Sequence, residues 1–170
     1  MIRLDVAQIK RSPGDFARYE LAVDLPPITF SGEKITFAGP VKTNLTVTNT
    51  GETLTIHGSA GGKLELSCSR CLQPFDYDYM VSIDEEYSLL PTGEANEELQ
   101  TFTRDYIDLT PAVINSIFLG LPMKAVCTED CQGLCSVCGA NLNKENCGCA
   151  LEEGDPRFSV LKKLLKKDKK

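Results

Sequence analysis

Histidine is almost missing from this chain of 170 residues: there is one, His57. Catalytic zinc usually sits among histidines and carboxylates with one open position, and nothing here has that pattern. A nuclease built on a metal would also need a cluster of histidines or paired acids, so His57 reads as an ordinary strand or turn residue. Long apolar runs are missing too. The chain is 42% hydrophobic, yet no run approaches the ~18 residues of a membrane span. The opening MIRLDVAQIKRSPGDF has no apolar stretch of the signal-peptide kind, so none is expected. Finally, the body lacks positive charge. Arg157 to Lys170 hold seven basic residues and one acid, a net of +6, so with the whole chain at −6 residues 1–156 carry −12. A body that acidic does not spread over a phosphate backbone, and any nucleic-acid contact must be local.

Cysteine, in contrast, is plentiful and paired. The eight fall as Cys68/Cys71, Cys127/Cys131, Cys135/Cys138 and Cys147/Cys149. A tight turn presents two thiolates to one tetrahedral ion without strain, so four pairs supply two structural zinc sites. Gly139, directly after Cys138, lets the backbone turn back over the metal. Disulfides fit poorly, because Cys147 and Cys149 are too close for a relaxed bridge. A redox C-x-x-C would need a βαβ setting that is not visible around Cys68. Iron–sulfur clusters also use four cysteines, and spacing alone does not separate them from zinc. With no export signal, paired thiols of this kind point to a reducing cytoplasm.

In chain order, residues 1–30 have weak periodicity, with turns at Ser12 to Gly14 and Pro26-Pro27, and read as edge strands or a loop with a short helix. Val41, Leu45 and Val47, the turn Asn49 to Glu52, and Leu54 and Ile56 make a hairpin with one buried face. Leu64, Leu66 and Cys68 and then Phe75, Tyr77, Tyr79, Val81 and Ile83 make a second one, with Cys68 and Cys71 at its tip. The aromatic alternation there reads as sheet core rather than a base-stacking platform. Residues 84–104 are acidic and turn-rich and read as a surface loop. Thr110 is an N-cap candidate, with Pro111 in the first turn. Leu109, Val113, Ile114, Ile117, Phe118 and Leu121 then follow at helical spacing until Pro122. Asp155-Pro156 opens a short basic amphipathic helix with Phe158, Leu161, Leu164 and Leu165 on its apolar side, which reads as a docking helix or as an arm for RNA. The expected fold is α+β: an antiparallel sheet or partly open barrel covered by a helix over residues 1–126. A zinc-knuckle region over 127–150 and a basic helix or tail over 151–170 complete it.

Taken together, CSRCL at Cys68 to Leu72, Ile107-Asp108-Leu109, Leu121-Pro122-Met123, CQGLCSVCGANLN at Cys131 to Asn143, Cys147-Gly148-Cys149 and Asp155 to Phe158 resemble the YceD-like proteins. These are described as large ribosomal RNA subunit accumulation proteins. The likeness covers roughly residues 40–165 and departs at Asn115, where a glutamate would be expected; no role of that acid carries over. The resemblance implies a bacterial cytoplasmic protein in ribosome biogenesis with no catalytic activity, and as partner ribosomal RNA, a large-subunit assembly intermediate or one of its proteins. It also implies Cys68, Cys71, Cys127 and Cys131 as one zinc site and Cys135, Cys138, Cys147 and Cys149 as the other, which agrees with the short loop between Cys138 and Cys147. A cross-braced pairing is the alternative. No membrane or small-molecule substrate is expected. Basic candidates for RNA are Arg70 and Lys144 at the knuckles and Arg157, Lys162, Lys163, Lys166, Lys167, Lys169 and Lys170 in the tail. The competing class is a zinc-dependent enzyme or thiol redox protein acting on RNA or ribosomal proteins.

Overall fold

A single 15-residue strand organises the sheet. In the computed structural model, which describes residues 1–30, 32–89, 100–101 and 105–149, the strands are β1 (Arg3–Asp5), β2 (Phe16–Val23), β3 (Ile28–Phe30), β4 (Glu33–Phe37), β5 (Val41–Asn49), β6 (Thr53–Ser67), β7 (Pro74–Ser88), β8 (Gln100–Thr101) and β9 (Tyr106–Asp108), followed by α1 (Thr110–Gly120). β6 pairs with β7 along its whole length, from Thr53 opposite Ser88 to Ser67 opposite Pro74. Its other edge is shared: β5 occupies Leu54 to Gly61, and β4 takes over at Leu64 and Glu65. The two hairpins expected from the sequence therefore share one strand, which runs unbroken through Gly58, Gly61 and Gly62. Gly58 is required by close approach. A Cβ there would lie 2.1 Å from the Asn44 carbonyl oxygen and 2.8 Å from the Leu45 Cα on β5.

Apart from the short parallel pairing of β7 with β8, the ladders are antiparallel, and β1 with β9 forms a separate two-stranded sheet. Together with α1, the one α-helix among the described residues, this is an α+β arrangement. The chain divides into two units, Met1–Ser69 with Gln73–Cys127, and Arg70–Leu72 with the residues from Thr128 onward. In the first, alternation on β5 buries Val41, Thr43, Leu45, Val47 and Asn49. Of these, Val41, Leu45 and Val47 join Leu54, Ile56 and Leu64 of β6, Ile83 of β7, and Val113 and Ile117 of α1 in one apolar cluster. Phe75 and Tyr77 are half-buried and Tyr79 is buried, on the core side as expected. Asn49, buried at the end of β5, donates from Nδ2 to the Ile9 carbonyl (2.8 Å) and accepts the Gly51 N–H (2.7 Å), so the hairpin turn and the N-terminal segment share one side chain.

Two expectations are corrected. Residues 84–88 are not loop but the end of β7, with Tyr87 and Ser88 buried opposite Leu54 and Thr53. The acids at 84 and 86 occupy the exposed positions of a continuing alternation, and their charge disguised it. Residues 90–99 and 102–104 of that stretch lie outside the described residues. Thr110 is not the helix cap. It is the first helical residue, and its hydroxyl accepts the Ile2 N–H (2.7 Å), while Asp108 Oδ1 accepts the Thr110 N–H (3.0 Å). The C-terminal helix expected from Asp155 lies outside the described residues. No helix among those described is long and apolar enough to cross a membrane.

Tyr79 and Tyr87 are 8% and 3% exposed, and their hydroxyls meet no hydrogen-bond partner among the described residues. Burial pushes both phenols up to about 12, whereas an unfolded tyrosine ionises near ~10. The fold thus favours the neutral phenol; that stabilisation is intact below pH ~10 and is lost as pH rises toward ~12. Tyr79→Phe and Tyr87→Phe are each expected to raise stability at neutral pH by about 1 kcal/mol, since an unpaired buried hydroxyl is removed. They should also blunt the alkaline loss. Urea unfolding at pH 7 and pH 11 checks both; a phenylalanine variant less stable at pH 7 would show that the hydroxyl is satisfied.

Candidate metal centre

The connection between β6 and β7 is built to present sulfur. The Cys68 N–H donates to the Gln73 carbonyl (2.9 Å), which closes the turn, and the Ser69 N–H donates to the Ala125 carbonyl (2.8 Å). After α1 ends at Gly120 the chain reaches Cys127, whose N–H points at Cys68 Sγ (3.4 Å). The sulfurs of Cys68, Cys71, Cys127 and Cys131 all lie within 4.8 Å of one another, and so do those of Cys135, Cys138, Cys147 and Cys149. All eight cysteines are free of disulfides. The structure thus brings the sulfurs together in the grouping that the family resemblance implied, not in the cross-braced one.

Four sulfurs around one zinc at about 2.3 Å stand roughly 3.8 Å apart, so both groups fit a tetrahedral ion with small closure. A multi-iron cluster spreads its cysteines over separate irons and needs a wider set. The first group is the more enclosed: Cys68, Cys71 and Cys131 are buried, whereas in the second only Cys135 is buried and Cys138 is exposed. Backbone N–H groups of Cys138 and Val137 aimed at its sulfur lower the Cys135 thiol to about 6. Cys149 is raised to about 12, because its thiol donates to the sulfurs of Cys138 and Cys147. Four thiols this close do not all ionise unaided, and a bound cation would displace the remaining protons.

The basic candidates fare differently. Arg70 Nη1 donates to the carbonyls of Glu129 (2.8 Å) and Cys131 (3.0 Å), so its guanidinium braces the loop that carries Cys131. Lys144 is exposed in the turn after Asn141. Arg157, Lys162, Lys163, Lys166, Lys167, Lys169 and Lys170 lie outside the described residues. His57 Nδ1 meets Asp84 Oδ1 at 3.0 Å across exposed positions of β6 and β7, away from any cysteine in the chain order of the site. One residue the sequence reading passed over is Asn143. Its Oδ1 accepts the Gln132 N–H (2.8 Å), and its Nδ2 donates to Cys131 Sγ (3.4 Å) and to Asn141 Oδ1 (2.9 Å). The only hint in the sequence was the pair of asparagines in Asn141-Leu142-Asn143, placed between cysteine pairs.

The two C-x-x-C turns end alike. Gly139 follows Cys138 with φ 75°, and Leu72 follows Cys71 with φ 58°. The left-handed region costs a leucine roughly 1 kcal/mol that glycine does not bear, and the Leu72 side chain is 64% exposed, so little packing offsets it. Leu72→Gly is expected to stabilise the metal-loaded protein by about 0.5–1 kcal/mol, and Gly139→Ala to destabilise it by a similar amount. Denaturant unfolding in excess zinc measures both. A Leu72→Gly variant that loses stability would mean that the leucine packs usefully where it is.

Comparison with known proteins places the chain among relatives. A family model described as large ribosomal RNA subunit accumulation protein YceD matches residues 56–165. A protein of Mycobacterium tuberculosis is 30% identical over 167 residues, covering 95% of this chain and 80% of the relative. The YlbN protein of Bacillus subtilis is 25% identical over 165 residues, 96% of each chain. The chloroplastic large ribosomal RNA subunit accumulation protein YCED homolog 1 of Arabidopsis thaliana is 38% identical over 58 residues, 34% of this chain and 18% of that protein. No solved structure matches the chain.

Proposed function

The chain belongs to the YceD family, and on that premise we propose that it is a non-enzymatic ribosome-biogenesis factor of the cytoplasm. In this reading it supports accumulation of large-subunit ribosomal RNA by binding the RNA or an assembling large-subunit particle. Structural zinc in both cysteine groups keeps the binding surface rigid. The observation that carries the reading is the donor set: two groups of four sulfurs, each within 4.8 Å, with no histidine or carboxylate among them. Four thiolates fill a tetrahedral ion and leave no position for a water or substrate, which is the pattern of a structural site. The zinc-dependent enzyme gains nothing from this geometry. A thiol redox role does not suit the first group, where Cys68 and Cys71 are buried; in the second, where Cys138 is exposed, zinc uptake is what separates a structural site from a reactive thiol pair.

Direct RNA contact, in this account, falls to the basic end of the chain. Arg70 has a structural task as well, since its Nη1 donates to the carbonyls of Glu129 and Cys131. The lysines at 166, 167, 169 and 170 are the strongest concentration of positive charge in an otherwise acidic chain.

Gradient sedimentation tests the proposal. Cells depleted of the protein are expected to lose large-subunit particles relative to small-subunit ones, and the protein to sediment with large-subunit precursors. Cutting the chain after Leu165 should weaken binding to large-subunit RNA and flatten its salt dependence by about 0.7–0.9 log units per lost phosphate contact. A normal ribosome profile with the protein confined to the top of the gradient would reject the assignment.

A further inference from the structure

We propose that Asn143 makes the metal affinity of the first cysteine group depend on occupancy of the second. The inference rests on the reading that both groups hold zinc. Cys131 belongs to the first group, and Asn143 lies in the eight-residue loop that joins Cys138 to Cys147 in the second. The two meet through a hydrogen bond from Asn143 Nδ2 to Cys131 Sγ at 3.4 Å. The orientation of the amide is fixed: the Gln132 N–H can only donate, so Oδ1 must face it and the NH2 must face the sulfur.

An N–H bond to a metal-bound thiolate is charge-assisted and steadies the ligand. Its delivery depends on the loop. Asn143, Lys144, Glu145 and Asn146 are all exposed, so no apolar burial holds this stretch in place. What fixes it is backbone pairing to the knuckle, Leu142 N–H to the Gly133 carbonyl (3.0 Å) and Cys135 N–H to the Ala140 carbonyl (2.8 Å), together with closure at Cys138 and Cys147. A metal in the second group closes the loop and carries the amide to Cys131; an empty second group leaves its ordering entropy unmet. The Cys131 carbonyl is meanwhile held by Arg70. By linkage the effect is reciprocal, so a filled first group also tightens the second.

Cobalt titration of the full chain, followed by absorption, tests this. The paired change Cys138→Ser with Cys149→Ser empties the second group. Asn143→Asp keeps an oxygen for the Gln132 N–H but replaces the donor facing Cys131 by an acceptor. Each is expected to weaken cobalt binding by the first group about 10–100-fold, and combining them should add little. The thiolate-to-cobalt charge-transfer band of the first group should also shift in Asn143→Asp, which general loosening of the loop would not produce in a chain whose second group still fills. First-group affinity unchanged in either variant, or fully additive losses, would overturn the coupling. A wild-type chain that takes up two ions while Asn143→Asp behaves identically sinks the coupling alone. A wild-type chain that takes up no metal sinks the zinc reading and the coupling with it.

Discussion

Four thiolates within 4.8 Å of one another repel strongly unless a cation stands among them. At such separations each pair of unit charges costs about 1 kcal/mol in water and about 4 kcal/mol near a protein surface, and each group contains several such pairs. In the absence of a cation Cys149 keeps its proton, shared by hydrogen bonds with the sulfurs of Cys138 and Cys147. A divalent ion resolves the repulsion. From Thr128 to Cys149 only Cys131, Gly133 and Cys135 are buried, and two of those three belong to the four-sulfur groups. This stretch has no apolar core to fold around, and in the proposed reading a metal ion takes that place. A structural zinc supplies on the order of 10 kcal/mol of binding energy that is also folding energy.

The sheet unit stands on different ground. Its cluster of Leu45, Leu54, Ile56, Leu64, Ile83 and Ile117 is closed to solvent without any metal. β6 is the reason the sheet holds together, because one strand serves as partner to β7 on one side and to β5 and β4 on the other. If the second cysteine group holds zinc as proposed, loss of that ion is expected to be a local event. Loss from the first would be expected to disturb Cys68 and Cys71, both buried in the turn between β6 and β7. The difference in burial between the groups follows from this: the first is anchored at the end of a long hairpin, whereas the second is closed by its own short loop.

Much of this was legible in the residues. Period-2 alternation located β5, β6 and β7, and helical spacing with Pro111 in the first turn located α1. The cysteine pairs announced two four-sulfur groups. The parts that escaped did so for physical reasons. Tyr87 continued the alternation of β7, but acids on the exposed face made the stretch look like loop. That the two hairpins share one strand was not seen, because the close approach of β5 that requires Gly58 leaves no mark in a pattern of alternation. The charge of Arg70 is visible in a sequence, whereas the carbonyls of Glu129 and Cys131 that its Nη1 meets are not. Asn49 and Asn143 act through side-chain geometry at long or medium range, which no periodicity reports. The left-handed turn at Leu72 was hidden because leucine gives no sign of it, whereas Gly139 did.

The central claim is that each group of four sulfurs encloses one zinc ion. X-ray absorption at the zinc edge, combined with elemental analysis of protein purified under reducing conditions, tests it most directly. The account predicts two zinc ions per chain, each surrounded by four sulfurs at about 2.3 Å and no nitrogen or oxygen neighbour. Zinc well below two per chain, a mixed sulfur and oxygen shell, or visible iron–sulfur absorbance in place of zinc would contradict it.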